Sequence, residues 1–135
     1  MIRMGIFESS VNVVGELVSL SRGRWYAADA DTVADAPGAL NLLIAIAMAV
    51  DGDADEGLVL LRGIARIPST LFTGTAPSLG LVGKPIYASE TAGEITLDMP
   101  RTSGTIVRVI GYLLDASSSD GLIYFNPDNT WVTIA

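Results

Sequence analysis

Residues 40–63 read LNLLIAIAMAVDGDADEGLVLLRG, and the way this stretch folds decides the rest of the chain. Nine apolar residues run unbroken from Leu42 to Val50. Four acids crowd into residues 51–56, and a second apolar run covers residues 58–61. Length and alanine content permit a helix. The run leaves no polar stripe, however, and its flanks are turn-like, which fits a strand covered on both faces. We read it as a central strand. Ala45, Ala47 and Ala49 alternate with Ile44, Ile46 and Met48, so one face is bulky and the other flat. A flat face admits close approach of another layer, either an adjacent strand or a sister subunit. The acidic turn is expected in solvent.

Glycine and proline turns break the chain on both sides of this run into short pieces, which favours strands over long helices. The pieces are residues 16–20 (ELVSL), 24–27 (RWYA), 64–67 (IARI), 85–88 (PIYA), 94–97 (EITL), 105–114 (TIVRVIGYLL), 122–125 (LIYF) and 130–134 (TWVTI). EITL and TIVRVI alternate apolar with polar, the period-two mark of a half-buried strand. The order of pieces repeats. GELVSL, SRGRWYAAD, LLIAIAMAV, DGDADEG and LVLLRG are followed later by GKPIYAS, ETAGEITLD, TIVRVIGYLL, DASSSDG and LIYFNP. The repeat is framed as residues 15–67 and 83–134. Residues 68–82, between the two units, read as a long loop, and such loops often form interaction surfaces. The predicted fold is all-β with little helix: a small antiparallel β-barrel or sandwich module spanning residues 12–135. A short N-terminal arm, residues 1–11, precedes it and is expected either to fray or to extend onto a partner.

Bulk properties narrow the function. The chain has 135 residues, half of them apolar and 17% charged. The mean hydropathy of +0.46 is high for a domain with so few charges to cover its surface. Some apolar area is therefore expected to meet a partner. The net charge of −7 argues against nucleic acid, which needs a cationic patch. Seven of the fifteen acids lie between Asp29 and Glu56 with no basic residue among them. The residue 42–50 run is about half the ~20 residues of a membrane-spanning helix. The N-terminal sequence lacks the charged and apolar regions of a secretory signal, so the chain is read as soluble, with no membrane partner.

No cysteine or histidine is present. Ser–His–Asp and Cys–His catalysis and His- or Cys-ligated zinc are thereby excluded. No phosphate loop occurs, since Lys84 stands before a proline. Asp51, Asp53 and Asp55 open like a calcium loop, but the sixth position is Glu56 where glycine is needed, and the twelfth is Arg62 where glutamate is needed. No carboxylate pair stands out for glycoside hydrolysis. No enzyme activity, metal or cofactor is expected.

The second half carries the most distinctive wording: GKPIYASETAGEIT, then VRVIGYLLDAS, then GLIYFNPDNTWV. It resembles small bacteriophage capsid decoration (cement, head-stabilising) proteins. GELVSL, RWYAADAD and IAIAMA followed by GLVLLRGIARI fit the same pattern more loosely, so the resemblance covers residues 12–135. It implies a β-barrel or β-tulip-like module, a structural virion protein on the capsid exterior, often a homotrimer. The major capsid protein and sister chains would be its partners, and it would act by clamping neighbouring shell subunits. Candidate interface residues are Ala45, Ala47 and Ala49 on the flat strand face, Leu71 and Phe72 in the long loop, and Trp131. The alternative is a receptor- or glycan-binding module of a head or tail fibre, using Trp25, Trp131 and the residue 68–82 loop.

Overall fold

The computed structural model describes residues 1–8, 11, 13–51 and 56–135, and its regular structure there is nearly all strand. The apolar run becomes β4 (Ile44–Asp51), in the middle of a five-stranded antiparallel sheet. Its neighbours are β5 (Glu56–Leu60) on one side and β2 (Leu17–Ser21) on the other. β1 (Ile2–Ile6) and β3 (Arg24–Ala27) form the edges, giving the order β1-β5-β4-β2-β3. The sheet curls until its edges meet. Phe7 bridges Trp25 in parallel, and the Glu8 N–H donates to the Trp25 carbonyl at 2.9 Å. Edge strands left open recruit other chains, and closure removes that hazard.

The inside of this curl is where the alanines point. Val18, Ala45, Ala47 and Val59 line it together with Phe7, Val11 and Trp25. Small residues are required there because two aromatic rings fill the space. A Cβ on Gly5 would lie 2.4 Å from Trp25 Nε1, and one on Gly57 would lie 2.3 Å from Phe7 Cε2. Ile44 and Ile46 point the other way, into the larger core.

That core lies between the first sheet and a second one. The second sheet comprises β6 (Gly63–Pro68), β7 (Phe72–Thr73), β8 (Pro85–Ala88), β9 (Ile95–Thr96), β11 (Val109–Ala116) and β12 (Asp120–Phe125), in the order β6-β12-β11-β8-β9-β7. Only the β7–β9 pair is parallel. Ile67, Leu113, Ile123 and Phe125 pack from its inner face onto Leu17, Ile44, Ile46 and Leu60 on the back of the first sheet. β10 (Ile106–Val107) and β13 (Val132–Thr133) form a separate two-stranded ladder.

The two sheets share one topology. Ordering the strands of the first as they occur in the chain, β1 to β5, and those of the second as β6, β8, β9, β11 and β12, both follow the spatial order first-fifth-fourth-second-third. Both also break register at the same place, between Ala47 and Ala49 in β4 and between Leu113 and Asp115 in β11. The natural frame of the repeat is therefore β1–β5 followed by β6–β12, not residues 15–67 and 83–134. IARI, read as the end of the first unit, is instead the first strand of the second, the counterpart of β1. Residues 2–6, read as an arm of unassigned structure, are an integral strand paired with all of β5. The residue 68–82 segment is not bare loop. It contains two short 3-10 turns, Ser69–Leu71 and Leu79–Leu81, and the edge strand β7.

Candidate functional site

Register equivalence locates the most informative surface. Across the back of the first sheet, Ile2 pairs with Leu60, Leu60 with Ile46, and Ile46 with Leu17. The counterpart row in the second sheet is Ile64, Tyr124, Tyr112 and Pro85, joined by the same pairings. The second sheet covers Leu60, Ile46 and Leu17 of the first row, leaving Ile46 at 0% and Leu60 at 4% exposure, while Ile2 at the sheet edge is 58% exposed. Among the described residues nothing covers the second row: Ile64 is 61%, Tyr112 46% and Tyr124 37% exposed, with Leu114 open beside them. A repeat that buries its predecessor's back leaves its own back unburied. An ion pair on this face, Arg66 with Asp120 at 2.9 Å, is internally neutral. A smaller apolar stripe, Ile2, Met4 and Ile6, runs along the outside of β1.

The residues singled out from sequence do not converge on one surface. Ala45 and Ala47 have no exposed area and touch barrel-filling side chains, so no sister subunit reaches them while the barrel is closed. Their flatness accommodates Phe7 and Trp25 within the same chain. Ala49 is half-buried. Phe72 belongs to the main core and Leu71 packs at its edge. Trp131 is partly exposed and lies over Arg108, with the guanidinium carbon 4.9 Å from the ring centroid. Trp25 is inside the barrel at 4% exposure, so it offers no sugar-stacking face. Sequence reasoning missed Ile64, Tyr112 and Tyr124. Their signal was present, since the aligned positions of the two units differ in character: Ile46 and Leu60 against Tyr112 and Tyr124. The acidic turn at residues 52–55, including the incomplete calcium loop, lies outside the described residues.

Two polar sites complete the inventory. Arg108 is buried and ties three segments together. Its Nη1 donates to the carbonyls of Leu40 (2.7 Å) and Leu42 (3.1 Å), and its Nε donates to the carbonyl of Asp128 (2.8 Å). Burial lowers its pKa, and the charge of Asp128 partly offsets this. At the other end, a cavity of about 370 Å³ is lined by Thr73, Ser89, Glu90, Thr96, Asp98 and Arg101, among others. Its acids are largely engaged. Asp98 accepts from both the N–H and the hydroxyl of Thr75 (3.0 Å each), and Glu94, outside the cavity lining, accepts from Thr73 Oγ1 (2.8 Å). Glu90 Oε2 accepts from Thr102 (3.1 Å), while its buried Oε1 has no partner. Nearby, Asp29 is pushed up to about 6, first by burial and then by its Asp31 contacts and the charge of Glu90. Among the described residues no cluster of three or more metal-type ligands occurs.

The chain is thus an all-β module of two topologically equivalent sheets, one rolled around an aromatic plug and one with an open back. No family model, no curated protein and no solved structure matches it.

Proposed function

We propose that this protein is a structural, non-enzymatic virion component that docks on the outside of a phage capsid and stabilises it by burying apolar β-surface across neighbouring shell subunits. The observation that carries this reading is the Tyr124–Tyr112 pair, exposed where its counterparts in the first sheet, Leu60 and Ile46, are buried. Tyrosine is enriched at protein interfaces because it supplies large contact area at low entropic cost. The partner class comes from the wording of the second half, which resembles decoration proteins. A standard interface hides roughly 1,600 Å² in total, and repetition around a shell turns modest single contacts into firm attachment by avidity. Sister-chain contacts on the capsid, as in a trimer, belong to the same proposal.

Re-addition to shells stripped of the protein tests it. Wild type is expected to decorate the shells and raise their disruption temperature. Tyr112→Glu/Tyr124→Glu should fail to attach while keeping the melting temperature of the free protein. A wild type that never binds, or a double variant that binds equally well, refutes the proposal.

A further inference from the structure

We infer that the mouth of the first-sheet barrel and the cationic cleft beside it form one binding site for a polypeptide C-terminus, a free α-carboxylate whose last side chain is bulky and apolar. Its proposed contacts use neither Tyr112 nor Tyr124, although Asn126 and Asn129 also border a neighbouring cavity that Tyr112 lines.

The ends of β5 and β2 and the starts of β1, β3 and β4 meet at this mouth. Leu20 and Leu61, packed against the barrel interior, and exposed Leu43 ring a cavity of about 300 Å³ beside Trp25, with Arg3 also on its wall. A second cavity of about 250 Å³, lined by Arg62, Arg108, Asn126 and Asn129, shares Leu43 and Leu61 with the first. Together they make a groove with an apolar end and a cationic end. Mouths of β-barrels are favoured ligand sites.

The charge distribution selects an anion. The chain carries −7, yet among the described residues no carboxylate lines either cavity. The two ion pairs among the described residues use Arg24 and Arg66, leaving Arg3, Arg62 and Arg108 outside any pair. Arg108 is 7% exposed, its Nε and Nη1 are held by carbonyls, and Nη2 bonds to no described residue. The charge it does feel, Asp128, accepts instead from the N–H and hydroxyl of Thr130 at 3.2 Å each. Guanidinium forks suit a carboxylate.

The depth of the groove selects what carries that anion. Trp25 and Phe7 fill the barrel below the mouth, so one side chain fits and a long alkyl chain does not. Asn126 and Asn129 supply amide donors and acceptors suited to the peptide group next to a terminal residue.

NMR titration of the ¹⁵N-labelled full chain tests this with three probes: acetyl-Gly-Leu bearing a free carboxylate, the same peptide as its carboxamide, and decanoate. Saturable shifts are expected at Leu20, Leu43, Leu61, Arg62 and Arg108, with the carboxamide about tenfold weaker and decanoate no tighter than the acid peptide. Arg62→Gln, at an exposed position, should weaken the acid peptide about tenfold and leave the carboxamide unchanged. Leu43→Glu, at a 54% exposed position, should abolish binding without unfolding the chain. Equal affinity for acid and carboxamide, tighter binding of decanoate, or no saturable shift by about 10 mM peptide would each overturn the assignment.

Discussion

Gly5→Ala is the sharpest probe of how the barrel closes. The substitution adds one methyl group on β1, directed at the Trp25 indole, where it would sit 2.4 Å from Nε1 and 2.6 Å from Cδ1. Ordinary contact needs at least 3.4 Å, so a ring that is only 4% exposed must shift by roughly 1 Å inside a packed interior. Overpacking of this kind costs about 1–3 kcal/mol. Reduced backbone entropy in the unfolded chain returns about 0.5–1 kcal/mol. The expected net loss is about 1–2 kcal/mol, read from urea midpoints at unchanged m-value. Trp25→Leu removes the clashing atoms. In that background Gly5→Ala should be neutral or slightly stabilising, giving a coupling of about 1–2 kcal/mol in the double-mutant cycle. An equal cost in both backgrounds would mean that β1 does not press on Trp25 and that the barrel is not closed as described. A neutral Gly5→Ala in wild type would say the same.

Three further substitutions separate core from surface. Ala47→Arg places a charge in the barrel interior and should cost at least about 3 kcal/mol, unfolding the free chain rather than selectively impairing assembly; circular dichroism melting reads this. Ser19→Ala removes a buried hydroxyl with no hydrogen-bond partner and should stabilise by about 1 kcal/mol in the same urea assay. Asp29 titrates near 6 in the fold against 3.8 unfolded, so the folded state holds its proton more tightly and stability falls as pH rises between those values. At full strength the shift is worth about 3 kcal/mol, and solvent screening of this partly buried group leaves about 1 kcal/mol. Asp29→Asn should therefore match wild type near pH 4 and exceed it by about 1 kcal/mol at pH 7.5, keeping the side-chain oxygen that accepts the Asp31 N–H at 3.1 Å.

Most strands were legible because turn chemistry punctuates them. RWYA and PIYA became β3 and β8 to the residue, and the continuous apolar run became a central strand buried on both faces. What covers each face was not legible. A flat alanine row admits any layer, and the layer turned out to be Phe7 and Trp25 from the same chain, residues 38 or more positions from Ala45 in one case and 20 in the other. Closure depends on β1, whose alternating apolar residues Ile2, Met4 and Ile6 face outward, so the pattern does not mark a barrel interior, yet the strand pairs fully with β5. The repeat could be sensed from strand order, but its frame could not. Pairing of β6 with β12, across more than fifty residues, decides which unit owns IARI. The exposed tyrosine row emerged only when register aligned the two sheets position by position.

The central claim is that this chain works by hiding the back of its second sheet against neighbours. Tyrosine nitration followed by peptide mass analysis, on free protein and on shell-bound protein, tests that claim directly. Tyr112 and Tyr124 should react in the free chain and be protected when bound, while half-buried Tyr26, on β3 of the other sheet, reacts equally in both states. Equal reactivity of Tyr112 and Tyr124 in the two states would contradict the account.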